Sequence, residues 1–372
     1  MPLRLARLIP RSLLARSALV VGAALLVGAT AGCSTVGYYA QAAGGHLSLM
    51  NAARPIDDWL ADPATPETLK SKLQAARQMR AFASRELGLP DNRSYTAYAD
   101  LKRPAVVWNV FATPELSINL KTWCYLAFGC AGYRGYFDQA AAQQTAAALR
   151  EAGYDANVAP VPAYSTLGWT NWLGGDPLLN TFIHWTDAEL ARLIFHELAH
   201  QVVYVKDDTV FNESFATAVE RVGVQRWLAA HADAAQRTAY AQGQQRRADF
   251  LALLLDHRAK LVTAFADDAP AEVKRERKRA VFASLQSGYR ALRDGPWGGF
   301  AGYDRFFAQE LNNAHLAAVG AYNDLVPAFE ALLAQQGGDL PRFYAAVRSL
   351  AELPRAERDA ALRALTPAGA AR

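Results

Sequence analysis

The sequence lacks an excess of charge of either sign once its first residues are set aside. The 372 residues contain 39 Lys and Arg against 35 Asp and Glu, and four of the arginines, with no acidic residue among them, lie in the first 16 positions. Without those four, the chain has 35 basic and 35 acidic residues. A protein that binds a phosphate backbone concentrates positive charge on its surface. We therefore expect no nucleic-acid partner.

The N-terminal segment lacks an apolar run of transmembrane length. Its apolar stretch, residues 18–31, is shorter than the about 20 residues that a membrane-spanning helix needs. Arginines precede the stretch and small residues follow it, which is the order of a secretory signal. We predict a signal peptide over residues 1–32, and an uncleaved N-terminal anchor is the alternative.

The small residues that lead into Cys33 resemble the lipobox of bacterial lipoproteins, with Thr30 in place of the usual leucine. The resemblance implies lipidation of Cys33, and Ser34 implies sorting to the outer membrane. Several acyl chains would hold the protein on the bilayer, because each buried methylene contributes about 0.8 kcal/mol. We expect a lipid-anchored protein on the periplasmic side of a bacterial membrane.

Cysteine is scarce, and beyond Cys33 only Cys124 and Cys130 remain. A close pair in an oxidising periplasm favours a local disulfide, and two free thiols are the alternative. No histidine or further cysteine lies nearby, so we expect no zinc site at this pair.

The secondary-structure pattern is mostly helical, with strands concentrated between positions 105 and 162. Three β-prone runs are predicted there, at residues 106–111, 133–137 and 157–161, with a helix over residues 138–152. Apolar residues at helical spacing predict another helix over residues 66–87, which Gly88 ends. The chain is almost wholly helical from Asp187 onward. The predicted fold class is α+β, predominantly helical, with one small sheet.

These patterns also predict the organisation of the chain. Residues 33–64 contain turn formers and isolated apolar residues, so we predict a tether or docking segment. Residues 65–353 are predicted as the main domain. Residues 354–372 are charged and alanine-rich, and we expect a C-terminal tail whose helix frays.

The run TDAELARLIFHELAHQVVYV, residues 186–205, carries the strongest chemical signal. Thr186 followed by Glu189 predicts a capping box at the start of a helix. His196 and His200 are four residues apart, which places both imidazoles on one helix face, with Glu197 beside them. In this H-E-x-x-H pattern, the histidines bind a divalent metal and the glutamate polarises a bound water. Core histidines satisfied by hydrogen bonds are the alternative.

The composition of this helix supports a metal. It is apolar on nearly every side except at Arg192, so we expect it to be buried. Burial of two imidazoles and a carboxylate without partners costs on the order of several kcal/mol, and a bound cation removes that cost. Imidazole and carboxylate ligands suit zinc best, and we predict one zinc ion.

A third ligand is predicted in FNESFATAVE, residues 211–220, because a catalytic zinc needs three protein ligands and one open position. Asn212 to Ala216 resemble the N-E-x-F-A segment of gluzincin metallopeptidases, in which the glutamate is a ligand. The resemblance implies that Glu213 completes the set. The 12 residues between His200 and Glu213 are fewer than in that family, yet they suffice for a helix end, a loop and a helix start.

The run from His196 to Glu220 also resembles a family of bacterial predicted aminopeptidases, as do WCYLAFGC, YRGYFD and LNNAHLA elsewhere in the chain. This resemblance implies a zincin-like metallopeptidase domain and a peptide substrate. Aminopeptidase activity rests on it alone, whereas the residues by themselves indicate a metal-dependent hydrolase.

Two residues are predicted to support the ligands. Glu220 lies on the same helix face as Glu213, and we predict that it accepts the free N–H of an imidazole. A surface carboxylate paired with Arg221 is the alternative. Asn212 is predicted to cap the second helix.

In the predicted mechanism, Glu197 accepts the proton of the attacking water and passes it to the leaving amine. Tyr322 is the candidate for stabilising the oxyanion, and a structural role is the alternative. Other candidates, for which a structural role is the alternative, are Asn312, Asn313, His315 and His184, with Trp169, Trp172 and Trp185 as a possible cleft lining. A lipid-anchored zinc scaffold without turnover, with Glu220 as a fourth ligand, is the alternative function.

Overall fold

The computed structural model describes residues 37–125, 129–163, 165–166, 174–319 and 325–365. The chain divides into a short N-terminal unit, Met1–Leu49, and a large unit, Met50–Arg372. The described part of the N-terminal unit is helical and belongs to α1, residues 37–52. Within the described ranges, no helix is both long and apolar enough to cross a membrane.

The described residues of the large unit form short strands and mostly longer helices. The strands are β1 (Ala53–Pro55), β2 (Ala97–Ala99), β3 (Val107–Pro114), β4 (Trp123–Tyr125), β5 (Gly129–Ala131), β6 (Arg134–Tyr136), β7 (Tyr154–Val161) and β8 (Leu178–Leu179). The helices are α2 (Ile56–Ala61), α3 (Glu67–Leu87), α4 (Gln139–Glu151), α5 (Asp187–His200), α6 (Thr209–His231), α7 (Ala234–Phe265), α8 (Ala271–Asp294), α9 (Asp304–Phe307), α10 (Asn313–Ala317), α11 (Val326–Gln335), α12 (Leu340–Ala351) and α13 (Arg355–Leu365). The predicted helical predominance of an α+β chain is confirmed.

The strands form three small sheets in the described residues, so the prediction of one sheet is wrong. In the largest, β3 lies between β6 and β7 and is antiparallel to both, which confirms the three predicted runs. In the second, β2 pairs with β1 and β8. These strands have two or three residues each, too few to show a period-two pattern. In the third, β4 pairs with β5, and a disulfide joins Cys124 to Cys130 as predicted.

Helix α3 confirms the predicted helix over residues 66–87. Pro66 precedes its first turn, and Gly88 ends it in the left-handed conformation with φ of 63°. Its buried face packs beside α5, where the rings of Phe82 and Phe195 stack with centroids 6.0 Å apart. This packing supports the helix that carries both predicted histidine ligands.

The helix α6 packs against α5 on one side and against α11 on another. The fully buried ring of Phe215 lies 5.9 Å from the rings of both Phe329 in α11 and Phe343 in α12. An apolar core therefore surrounds the pair α5–α6 and holds it in one arrangement.

Both ends of the described part of the large unit are packed. Strand β1 and helix α2 lie within the predicted tether, yet β1 pairs with β2 and Ile56 is buried. At the other end, the expectation that the C-terminal helix frays is wrong for α13. Leu362 is fully buried, and Arg358 forms a buried ion pair 2.5 Å from Asp208, at the start of α6. The charged composition of α13 concealed this contact, because its partner lies 150 residues away.

Candidate metal centre

Two helix termini place the candidate ligands. Thr186 caps α5 by accepting a hydrogen bond from Glu189 N at 3.3 Å, and the helix continues to His200. This confirms the cap but only half of the predicted capping box, because the Glu189 carboxylate contacts Arg192 and Gln244. Asp208 caps α6 by accepting from Phe211 N at 3.2 Å. Nine of the fourteen residues of α5 are buried, which confirms the predicted burial and holds the two histidines in fixed directions.

The side chains of His196, His200 and Glu213 converge on one point. The Nε2 atoms of the two histidines are 3.2 Å apart. The Glu213 carboxylate oxygens lie 3.3 Å from His196 Nε2 and 3.6 Å from His200 Nε2. Among the described residues, these three form the group whose ligand atoms all lie within 4.8 Å of one another.

This arrangement fits a tetrahedral zinc ion. Zinc–nitrogen and zinc–oxygen bonds of about 2.0–2.1 Å at tetrahedral angles put neighbouring ligand atoms about 3.3 Å apart. The Nε2–Nε2 separation of 3.2 Å and the separation of 3.3 Å between His196 Nε2 and Glu213 Oε2 are close to that value. The other Glu213 oxygen, Oε1, lies 3.6 Å from His200 Nε2. Two neutral imidazoles and one carboxylate are also a donor set that catalytic zinc sites use.

Glu220 contacts the candidate ligand His196 on the side of the ring away from Glu213. Its carboxylate accepts a hydrogen bond from His196 Nδ1 at 2.8 Å, which leaves Nε2 of the same ring directed at Glu213. Arg192 Nη1 lies 3.3 Å from both Glu220 oxygens, and Glu220 is buried. The alternative of a surface carboxylate paired with Arg221 is wrong, since Arg221 pairs with Glu330 at 2.9 Å.

The electrostatics of the centre favour one protonated and one neutral histidine when no cation is bound. Burial alone lowers the pKa of His196, but the hydrogen bonds to Glu213 and Glu220 raise it to about 10. Burial and the neighbouring His196 lower the pKa of His200 to about 4. Despite burial, the bond to His196 keeps the pKa of Glu213 and of Glu220 below the usual range. The pocket therefore holds a proton where a cation could bind.

Glu197 lies beside the centre and is partly buried. Burial raises the pKa of its carboxyl, and the charges of Glu213 and Asp176 add to that rise. The nearby His196 charge and a hydrogen bond with the Ser165 side chain oppose it. A carboxylate with a raised pKa next to a metal site has the chemistry of a general base.

Residues 37–362 match a family model described as "Putative aminopeptidase". The chain belongs to this family. No curated protein and no solved structure matches the chain. The description of the family implies peptidase activity and a peptide substrate. The match also includes most of the predicted tether and part of the predicted tail.

Asn212, within the segment of this putative aminopeptidase that we compared with gluzincins, does not cap α6, because Asp208 does. Its side chain instead accepts from Val205 N at 2.8 Å and donates to Val205 O at 2.7 Å. The prediction failed because α6 begins three residues before Asn212. Asn212 therefore secures the loop between α5 and α6, the two helices that carry the candidate ligands.

The LNNAHLA segment, also within the family match, has structural contacts. Asn313 donates to the backbone carbonyls of Glu115 and Ser117 at 2.8 and 3.0 Å. Asn312 and His315 form a capping box at the start of α10. These contacts join α10 to the region around β3, which accounts for the segment without a catalytic role.

Of the remaining candidate residues, two lie within the described ranges and three lie outside them. His184 is exposed, and Trp185 has its ring 6.1 Å from Phe182. Tyr322, Trp169 and Trp172 lie outside the described residues. The oxyanion role of Tyr322 therefore stays a prediction.

Several residues near the centre were missed. Tyr204 has a half-exposed ring 6.4 Å from that of His200, and its spacing of four residues from His200 was a signal for it. Arg192 stands four residues before His196, so helical periodicity was a signal there too. Tyr95 and Ser165 come from distant parts of the chain, and no local pattern marked them.

Proposed function

We propose that this member of the putative aminopeptidase family is a zinc-dependent peptidase, with His196, His200 and Glu213 as ligands and Glu197 as general base. The observation that carries the proposal is the convergence of His196, His200 and Glu213, with ligand atoms within 4.8 Å of one another, beside the partly buried carboxylate of Glu197. Three protein ligands leave one position for water or substrate, as catalytic zinc sites require.

When bound, zinc polarises the peptide carbonyl and lowers the pKa of a bound water. The remaining chemistry belongs to side chains of this chain. Glu197 accepts the proton of the attacking water and transfers it to the leaving amine. Glu220 holds the His196 ring in the tautomer that keeps Nε2 free, and Arg192 neutralises the buried Glu220 carboxylate.

A zinc scaffold without turnover is less well supported. That function needs four protein ligands, with Glu220 as the fourth. Glu220 contacts Nδ1 of His196, whereas Glu213 lies at Nε2, the opposite nitrogen of the ring. Glu220 is therefore placed to orient a ligand, and the three-ligand set favours catalysis.

The proposal extends to substrate and location. The family description favours an aminopeptidase, which requires a free α-amine on the substrate. Lipidation of Cys33 and attachment to the periplasmic face of the outer membrane remain part of the proposal, supported by the sequence order around residues 18–34.

The test combines metal analysis with peptide hydrolysis by the zinc-loaded chain and by its Glu197→Gln variant. We expect one zinc per chain in both, and a fall in kcat of about 10²–10⁴-fold in the variant, because only its base is lost. Free peptides should be cleaved and their N-acetylated forms spared. Zinc binding without cleavage of any peptide would favour the scaffold, and absence of zinc binding would refute the metal centre.

A further inference from the structure

Three residues that the proposed zinc site does not use lie close to Glu197. Tyr95 is buried, with 2% of its surface exposed, and the nearby charge of Glu197 helps to raise its pKa. Ser165 hydrogen-bonds both Tyr95 and Glu197 through its side chain. Asp176 is buried and lies 3.2 Å from Ser165 Oγ. Polar residues that are distant in sequence thus form a cluster at the predicted base.

The backbone holds Tyr95 in a conformation that tyrosine rarely adopts. Its φ is 63°, in the left-handed region, where a bulky residue is strained. Such strain persists only where the surroundings impose it, and it is concentrated at functional sites. Here Tyr95 N donates to Asp176 O at 2.7 Å, and the buried Arg80 donates through Nε to Ser94 O at 2.9 Å.

Gly175 allows this arrangement. Its φ is 73°, and a Cβ at this position would lie 2.5 Å from Ser94 N. Only glycine lets the two backbone segments approach so closely. The backbone segment before Tyr95 also contacts the end of α5. Gln201 donates to Ser94 Oγ at 3.2 Å and accepts from Asn92 at 2.7 Å. Tyr95 is therefore fixed relative to the helix that carries Glu197.

The hydrogen bonds available to Ser165 limit what the cluster can do. A serine hydroxyl has one proton to donate and two lone pairs. Asp176 also accepts from Thr166 N at 3.0 Å and from Thr166 Oγ1 at 2.8 Å. It stays satisfied when the Ser165 proton is directed elsewhere. The 3.2 Å separation between Ser165 and Asp176 is long for a hydroxyl–carboxylate bond.

We propose that Tyr95 and Ser165 are positioning residues for Glu197. The Tyr95 hydroxyl donates to Ser165 Oγ, and Ser165 donates its proton to one oxygen of the Glu197 carboxylate. The other oxygen then faces the attacking water. Burial and the nearby carboxylates raise the pKa of Tyr95 well above its ordinary value, so it remains a donor. This role rests on the proposed function of Glu197 as the base.

The test measures kcat, KM and zinc affinity for the full zinc-loaded chain and for Tyr95→Phe, Ser165→Ala and the double variant. We expect kcat to fall at least about tenfold in each single variant, with KM and zinc affinity unchanged, because ligands and substrate contacts stay in place. In the double variant the loss should not exceed that of the worse single variant, since both act through one hydrogen-bond chain. Ser165→Thr, which keeps the hydroxyl, should restore most of kcat.

The matched control is Tyr344→Phe. Tyr344 is also buried, and its hydroxyl donates to Leu87 O at 2.8 Å without contact to Glu197. This variant should lower the melting temperature and leave kcat unchanged. If Tyr95→Phe behaves in the same way, or if the losses in the double variant simply add, the positioning role is wrong. An inactive wild type would overturn this role together with the proposed function, whereas an active wild type isolates the role of Tyr95 and Ser165.

Discussion

The pair α5–α6 and the pair α7–α8 are both built from packed helices, but they use their residues differently. Nine of fourteen residues in α5 and twelve of 23 in α6 are buried. In α7 only four of 32 are buried, and in α8 two of 24. The first pair is enclosed by other elements, whereas the second meets its surroundings along a narrow seam.

The polar groups of the two pairs differ in the same way. In α5–α6, successive hydrogen bonds connect side chains that are mostly buried, namely His196, Glu220, Arg192 and Glu189. The ends of α7 and α8 carry exposed ion pairs such as Arg277 with Asp267 at 2.9 Å. A buried charge that loses its partner destabilises the fold, whereas an exposed charge is solvated by water. The same kind of substitution should therefore change the free energy of unfolding more in α5–α6 than in α7–α8.

The largest expected effect is at Glu213, the proposed third ligand. We expect Glu213→Ala to lower zinc affinity by more than about 100-fold, because loss of an outer hydrogen-bond partner alone lowers it 10–100-fold. Competition with a chromophoric chelator measures the affinity. The control is Glu330→Ala, which removes an exposed partner of Arg221 and should leave zinc binding unchanged. Equal affinities in the two variants would contradict the ligand assignment.

The buried pair of Arg358 and Asp208 should dominate stability near α6. Both side chains are 5% exposed, and Arg358→Met leaves the Asp208 charge buried without its partner. We expect a loss of about 3–5 kcal/mol in the free energy of unfolding, measured with urea. Arg355→Met, which removes a largely exposed partner of Asp359 in the same helix, should cost less than about 1 kcal/mol. Similar losses in both variants would show that α13 does not hold α6.

Zinc binding should depend on pH through His196. With its pKa raised to about 10, His196 carries a proton in the metal-free protein at pH 8, and that proton must leave before Nε2 can bind a cation. His200, with a pKa of about 4, is already neutral. We expect release of about one proton per zinc at pH 8, measured by calorimetry in buffers of different ionisation enthalpy.

The raised pKa of His196 also makes the stability of the metal-free protein depend on pH. The protonated His196 stabilises the metal-free fold fully below the unfolded pKa of about 6.5, and this contribution is lost as the pH rises toward 10. The metal-free protein should therefore lose stability between those values, and the zinc-loaded protein should lose less. Zinc binding without proton release at pH 8 would contradict this account.

The smallest expected effect is in the helix pair α7–α8. Arg277→Ala removes a partner from an exposed ion pair and should change the free energy of unfolding by less than about 1 kcal/mol. Peptidase activity and zinc affinity should stay unchanged. Lys278→Met should cost more, because the pair of Lys278 with Asp155 at 2.6 Å is mostly buried. A large effect of Arg277→Ala would show that this helix pair is coupled to the centre.

Local pattern predicted the features of this protein that depend on neighbours in sequence. The bounds of α3 followed from apolar spacing and from Gly88, and the start of α5 followed from Thr186. The shared face of His196 and His200 followed from helical periodicity. The predicted cap Asn212 failed because a shift of three residues in the start of α6 changes which side chain reaches the free N–H groups.

The sequence by itself therefore determined the predominantly helical class, the two histidines with Glu197 between them, and the disulfide between neighbouring cysteines. The tertiary structure alone decided that Arg358 reaches Asp208 and that Arg192 secures Glu220. It also brought Tyr95 and Ser165 to Glu197. The physical reason is that covalent helix geometry sets contacts three or four residues apart, whereas packing of the whole core sets contacts between residues as far as 257 positions apart.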